Sequence, residues 1–251
     1  MSEHVRIERG NGVLSITLAR PERRNAITVA MYAALADAIA GAAGDDSARL
    51  ITLRGEGADF TAGNDLADFL KEQMRGDPDD VPVWRLLRAL ALNEVPIVAA
   101  IQGNAVGIGT TMLLHCDLVI AEEGCRFIMP FVSLGLVPEA ASSLLMPQMA
   151  GRRVAAKHLL LGEPFGADEA LGMGLASHVA PAGQLSGLLE RVTSALLAQP
   201  PEAMRLTQKL LRSGQTGAVS ERMTVENEHF AERLASDEVK QAIAAFFARR
   251  A

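Results

Sequence analysis

The feature that most limits how this chain can fold is a series of short apolar segments, separated by helical segments, in its first half. Residues 5–9 and 13–19 flank a turn signal at 10–12 and predict a β-hairpin. A helical stretch follows Thr28, a good N-cap residue. Nearly continuous apolar segments predict three further strands, at 49–55, 96–103 and 117–123. Because such strands are typical of sheets covered on both faces, the pattern predicts an α/β fold with a mixed sheet.

From about residue 139 the pattern becomes helical. Residues 184–199 place leucines and Val192 on one face, at the spacing of an amphipathic helix. Further helical segments are expected at 201–213, 218–234 and 237–249. Four amphipathic helices in succession need an apolar surface to cover, which is either the chain's own core or a partner subunit.

The segment 71–82 differs from its surroundings. It is rich in charged residues and contains two prolines and a glycine between two helical patterns. Such a composition is typical of a surface loop, and we expect this one to be mobile.

Composition excludes several classes of function. The 251 residues carry a net charge of −6, which does not favour binding to nucleic acid or to an anionic membrane. Two cysteines are too few for a disulfide framework and fit a reducing compartment. The N-terminus has no apolar run and no segment is long and apolar enough for a membrane span, so we expect a cytoplasmic protein. The five histidines show no metal-binding spacing.

Two glycine-rich turns are candidates for binding a negative charge. The stretch FTAGND (60–65) follows a strand and precedes a helical pattern, and QGNAVGIG (102–109) repeats the arrangement. Backbone N–H groups at such strand-to-helix turns have no intrahelical partner. Together the two turns could direct N–H donors at one developing negative charge, as an oxyanion hole does.

The stretch SLGLVPEAASS (133–143) contains one charged residue, Glu139, directly after Pro138. One interpretation is an acid on the surface at the start of a helix, where it complements the helix dipole. The other is a carboxylate held in a pocket to move protons. This stretch alone does not decide between them.

The order of these motifs resembles the crotonase superfamily, the enoyl-CoA hydratase/isomerase family. The resemblance runs from about residue 5 to about 250 and rests on PERRNAI (21–27), FTAGND, QGNAVGIG, CDLVIA (116–121) and the LGLVP segment. It implies a ββα spiral core over residues 1–195 and a helical trimerisation region over 196–251. It also implies a homotrimer or dimer of trimers, and an acyl-CoA thioester as substrate with no other cofactor.

The resemblance assigns site residues as well. The backbone N–H groups of Asn64 and Ile108 correspond to the family's oxyanion hole, which holds the thioester carbonyl. Arg23 and Arg24 lie where the family often places basic residues near the CoA phosphates. The residues assigned to substrate binding are Arg24, Ala62, Gly63, Asp65, Leu66, Gly107, Gly109, Phe131 and Leu136.

The choice of reaction depends on carboxylates. The two glutamates of a family hydratase correspond here to Thr111 and Phe131, neither of which can act as a base. The stretch LGLVPEAASS instead resembles the isomerase pattern LGxxPEGxSS, with Ala140 in place of its glycine. The resemblance therefore implies a Δ3,Δ2-enoyl-CoA isomerase in which Glu139, in the cavity of the two N–H groups, moves a proton between C2 and C4.

Other functions stay open at this point. They include a 2-enoyl-CoA hydratase, another crotonase-type lyase or hydrolase, and an acyl-CoA binder without activity. An RNA-binding relative would have a lysine-rich helix, but residues 35–48 contain no lysine. A serine hydrolase would use Ser142 or Ser143, yet the chain has no GxSxG motif around either.

Overall fold

The computed structural model describes residues 2–45, 47–69 and 80–248. Most of the segment expected to be a mobile loop (71–82) lies outside the described residues, and its last residue, Pro82, begins a helix.

A six-stranded sheet forms the centre of the protein, with its strands in the order β1-β2-β3-β4-β6-β9. The first two strands pair antiparallel and confirm the predicted hairpin, and the remaining neighbours pair parallel. A smaller sheet contains β5, β7 and β8. The strands are β1 (Val5–Gly10), β2 (Val13–Leu18), β3 (Leu50–Gly55), β4 (Ile97–Ile101), β5 (Asn104–Val106), β6 (Leu118–Glu122), β7 (Arg126–Ile128), β8 (Phe165–Gly166) and β9 (His178–Ala180).

Helices follow the strands and then dominate the second half of the chain, as predicted. They are α1 (Val29–Ala42), α2 (Leu66–Phe69), α3 (Pro82–Leu92), α4 (Ile108–Thr111), α5 (Ser142–Ala150), α6 (Arg152–Leu160), α7 (Ala167–Gly172), α8 (Leu185–Leu197), α9 (Pro201–Ser213), α10 (Thr216–Leu234) and α11 (Asp237–Ala248).

The central sheet is covered on both faces. Leu50, Val98 and Ile120 pack on one side against the leucines of α8, which confirms the apolar stripe predicted for that helix. Residues with the opposite orientation, such as Ile51 and Ile97, belong to the large core that contains α1 and α3. Successive side chains of a strand point to opposite faces, so near-continuous apolar strands can supply both layers.

The last two helices pack on the chain's own core. Phe230 of α10 meets Trp84 of α3 edge to face, with ring centroids 5.8 Å apart. Helix α11 contacts the 3-10 turn at Val132–Leu134. These contacts within one chain do not test the domain boundary expected near residue 195 or the expected trimer, and both stay predictions. Helix α9 does leave Leu210 and Leu211 each 75% exposed.

Within the described part of the chain, no helix has the length and apolar character needed to cross a bilayer.

Removing the N-cap of α1 should destabilise the protein modestly. The Thr28 hydroxyl accepts a hydrogen bond from the Met31 N–H at 3.3 Å. We expect Thr28→Ala to lower stability by about 1 kcal/mol and Tm by about 2–4 °C, since the replacement leaves that N–H without its partner. Thr28→Ser keeps the hydroxyl and serves as the control in thermal unfolding. Equal melting temperatures for the alanine variant and the wild type would contradict the prediction.

Candidate active site

A cavity of about 620 Å³ lies between the two glycine-rich turns and the C-terminal helices. Most of the residues that the sequence assigned to the site line it. They are Arg24, Ala62, Gly63, Asn64, Asp65, Leu66, Gly107, Ile108, Phe131 and Leu136. Two predicted residues, Gly109 and Glu139, are not part of its lining.

The first turn is held close against the second. The Thr61 hydroxyl donates to the Asn25 carbonyl at 2.6 Å and accepts the Gly63 N–H at 3.1 Å. A bridge also joins Thr61 to Ala105. Gly63 has a φ of +82°, and a Cβ there would lie 2.6 Å from the Val106 carbonyl oxygen. Only glycine fits this contact, because any other side chain would push the two backbones apart.

The second turn places the N-terminus of α4 at the cavity. The Gly107 N–H donates to the Ile128 carbonyl at 2.8 Å, and the Gly107 carbonyl accepts from Thr110 and Thr111. Gly109 packs away from the cavity, since a Cβ there would lie 2.4 Å from Cγ2 of Thr61. The small size of Gly109 thus allows close packing of α4 on the first turn, and its assignment to substrate binding stays a prediction.

The two proposed oxyanion donors line one cavity. Among the described residues, the N–H groups of Asn64 and Ile108 have no hydrogen-bond acceptor. Both residues belong to the cavity lining, and the turns that carry them are in contact. Unpaired N–H groups at a cavity wall can stabilise an anionic oxygen. Their action on a thioester carbonyl stays a prediction.

Glu139 is buried, with only 1% of its surface exposed. Helix α5 begins three residues later, at Ser142, so Glu139 is not an exposed acid in a first helical turn. Glu139 is not among the residues that line the cavity, and the opening of its side chain into the cavity stays a prediction. Its Oε1 has no hydrogen-bond partner among the described residues.

The surroundings of Glu139 favour its neutral form. Burial raises the pKa of the Glu139 carboxyl to about 8, with a further contribution from the charge of Glu226, while the nearby Thr111 hydroxyl acts in the opposite direction. Thr111 lies three residues after Ile108 on α4. Burial, and secondly the charge of Glu139, raise the pKa of Tyr32 well above its ordinary value. The Tyr32 hydroxyl in turn hydrogen-bonds the Asn64 side chain. Glu139 therefore lies near both turns, next to residues that contact them.

Sequence reasoning missed four residues of this region. Phe230 and Ile243, from the last two helices, line the cavity. Tyr32 and Glu226 surround Glu139. One signal was available for Glu226, because it falls within the otherwise apolar stripe of α10 that contains Met223 and Phe230.

The rim of the cavity carries charge. Arg24 lines the cavity, its side chain is 68% exposed, and its Nε lies 3.9 Å from a carboxylate oxygen of Asp59. Arg20 forms an ion pair of 2.7 Å with Asp65 at the same rim. Within the described residues no group of three or more His, Cys, Asp or Glu could hold a metal ion.

The sequence profile of the enoyl-CoA hydratase/isomerase family matches residues 8–251. The chain belongs to this family. Its relatives include 1,2-epoxyphenylacetyl-CoA isomerase of Escherichia coli (strain K12), which is 33% identical over 95% of this chain and 93% of the relative. The 2,3-dehydroadipyl-CoA hydratase of the same organism is 30% identical over 100% and 97% of the two chains.

Solved structures agree with this membership. The crystal structure of an enoyl-CoA hydratase/isomerase from Pseudoalteromonas atlantica T6c is 41% identical and has a TM-score of 0.93, over 99% of this chain and 98% of that chain. The mixed α/β core and C-terminal helices of this enoyl-CoA hydratase/isomerase family member are thus the crotonase fold that the motifs predicted. As a member, it is an enzyme that acts on acyl-CoA thioesters.

Proposed function

We propose that the protein is a Δ3,Δ2-enoyl-CoA isomerase with Glu139 as its base. The observation that carries this proposal is the environment of Glu139: a buried carboxyl with a pKa raised to about 8 that lies near both turns of the oxyanion site. A base whose pKa lies near the working pH is well suited to both accepting and returning a proton.

The thioester carbonyl would accept hydrogen bonds from the N–H groups of Asn64 and Ile108. Negative charge grows on that oxygen when the C2 proton leaves, and fixed donors at a water-poor site stabilise it strongly. Because the donors belong to the backbone, their positions depend on the turn glycines and not on the side chains of residues 64 and 108.

Glu139 would remove the C2 proton and return it at C4, so that the double bond moves from C3 to C2. One carboxyl suffices, since the proton that leaves C2 is the one delivered to C4. The unbonded Oε1 can turn toward the cavity without losing a hydrogen bond within the described residues. The exposed guanidinium of Arg24 at the rim would meet the CoA phosphates.

The residues at the two hydratase positions favour isomerisation over hydration. Thr111 is fully buried and Phe131 lines the cavity, and neither side chain can activate a water molecule as a carboxylate can. One of the relatives named above is an isomerase and the other a hydratase, so their names do not choose between the two reactions.

Direct comparison of two substrates tests the proposal. With a 3-enoyl-CoA, we expect the conjugated 2-enoyl thioester to accumulate, which is followed by its ultraviolet absorbance. With a 2-enoyl-CoA, we expect little loss of that absorbance, because hydration needs a second catalytic carboxylate. Efficient hydration of the 2-enoyl-CoA, together with no turnover of the 3-enoyl-CoA, would overturn the proposed function.

A further inference from the structure

Glu226 is a buried acid that the proposed chemistry does not use. It lies on α10, 85 residues from the segment that it contacts, and is 5% exposed. Its Oε2 accepts the Ala141 N–H at 2.6 Å, and its Oε1 accepts the Ser143 N–H at 2.9 Å. Both oxygens of the Glu226 carboxylate thus accept hydrogen bonds from backbone N–H groups that lie two and four residues after Glu139.

The segment held by Glu226 has an unfavourable backbone conformation. Ala140 and Ala141 have φ values of 61° and 55°, in the left-handed region that is unfavourable for a non-glycine residue. No side chain of α5 caps its own first turn. Glu226 therefore supplies from another helix the acceptor that an N-cap residue usually provides.

A second contact holds the same turn from the opposite direction. Nε2 of His115 lies 2.9 Å from the Ala140 carbonyl oxygen. Burial lowers the pKa of His115 to about 4, so its ring is neutral and donates this proton. The turn after Glu139 is consequently fixed through its carbonyl by His115 and through its N–H groups by Glu226.

The contact of Glu226 with residues 141 and 143 also connects this turn to the cavity. Phe230 follows Glu226 by four residues on α10, which is the spacing of one helical face, and Phe230 lines the cavity. One face of α10 thus lines the cavity with Phe230. The same face contacts, through Glu226, the loop that carries Glu139.

We propose that Glu226 is a positioning residue: by holding residues 141 and 143 it fixes the left-handed turn that sets the Glu139 carboxyl near the two oxyanion turns. The inference deepens the proposed function and rests on it. Glu226 does not touch the reacting atoms; it acts through the backbone and through its charge.

Several titratable groups surround this pair and bear on its pH dependence. Glu226 of α10 raises the pKa of the Glu139 carboxyl, the charge of Glu139 in turn helps raise the pKa of Tyr32 of α1, and His115 contacts the backbone at Ala140. Arg222, also on α10, acts on Glu226. Because Glu226 and Glu139 repel when both are charged, Glu226 favours the protonated form of Glu139.

The test compares Glu226→Gln with Glu228→Gln, a change at an exposed glutamate of the same helix. The glutamine side chain has one acceptor oxygen, so it cannot replace both carboxylate oxygens that accept the N–H groups of Ala141 and Ser143. It also carries no charge. We expect Glu226→Gln to lower kcat by about 10- to 100-fold, since displacement of a catalytic group by about 1 Å has that effect, and to leave KM within about twofold. The acid limb of the kcat profile should move about one pH unit lower. Glu228→Gln should match the wild type.

A conservative variant separates positioning from general stability. Glu226→Asp keeps the charge and both acceptors but shortens the side chain, so we expect kcat to fall while the acid limb stays closer to that of the wild type than in Glu226→Gln. If Glu226→Gln does not fold, Glu226→Asp decides alone. An unchanged kcat in whichever variant folds, or a lower melting temperature with wild-type kcat and pH profile, would overturn the inference.

An infrared titration keeps this inference distinct from the proposed function. The carbonyl stretch of the protonated Glu139 carboxyl, identified by its absence in Glu139→Gln, should titrate at lower pH in Glu226→Gln than in the wild type. This readout needs no turnover. A wild type that does not isomerise 3-enoyl-CoA would remove the proposed function, and an unmoved infrared titration would remove the positioning role.

Discussion

Glu139→Gln should lower kcat for 3-enoyl-CoA by about 10²–10⁴-fold, the usual contribution of a general base. Glutamine keeps the shape of the side chain but cannot accept the C2 proton. KM should change little, because the proposed thioester contacts are backbone N–H groups of Asn64 and Ile108, and the proposed contact with the CoA phosphates is Arg24 at the rim. Steady-state kinetics with a 3-enoyl-CoA measure both quantities.

The pH dependence of kcat in the wild type is a second test of Glu139 as the base. Only the ionised carboxylate can act as a base, and burial raises the pKa of Glu139 to about 8. The kcat should therefore fall as the pH decreases below about 8, and this limb should be absent from any residual activity of Glu139→Gln. Glu190→Gln, at an exposed glutamate of α8, is the matched control and should behave as the wild type. Retention of more than about a tenth of the activity by Glu139→Gln would exclude Glu139 as the base.

The second large effect is expected at Gly63. An alanine there would place Cβ 2.6 Å from the Val106 carbonyl oxygen, at a φ of +82°. The first turn must shift to relieve this contact, and the shift moves the N–H of Asn64 away from the second donor at Ile108. Because loss of one oxyanion donor costs about 10²–10³-fold in kcat, we expect a reduction of that size for Gly63→Ala, together with a lower melting temperature.

Gly41→Ala is the control for Gly63→Ala. Gly41 lies in α1 with nothing within 4 Å of a Cβ built on it. Alanine is favoured over glycine within a helix by roughly 0.5–1 kcal/mol, so this variant should melt at the same or a higher temperature and keep full activity. A fully active Gly63→Ala with the melting temperature of the wild type would contradict the close approach of the two turns.

Local patterns in the sequence were sufficient for the hairpin, the three strands β3, β4 and β6, the apolar stripe of α8 and the two glycine turns. Each of these depends on residues close together in the chain, where hydrophobic period and turn chemistry act directly. The same reasoning identified Glu139 as unusual, because a lone acid stood in an apolar stretch. The position of its carboxyl in the cavity of the two N–H groups stays a prediction.

Contacts between distant segments were outside the reach of sequence reasoning. Gly109 could be recognised as a turn glycine, but its neighbour Thr61 depends on the packing of two separate turns. Glu226 could be recognised as an acid in an apolar stripe, yet its partners Ala141 and Ser143 lie more than 80 residues earlier. Such pairings depend on how whole helices pack, which no local pattern encodes.

The placement of Phe230 and Ile243 in the cavity wall affects the order in which the enzyme is completed during synthesis. The strands of the central sheet end at Ala180, so the sheet can assemble while the last helices are still within or near the ribosome. The wall, however, needs residues up to Ile243. A newly made chain can thus possess its folded centre and both glycine turns before it has a complete cavity wall, because α10 and α11 are synthesised after them.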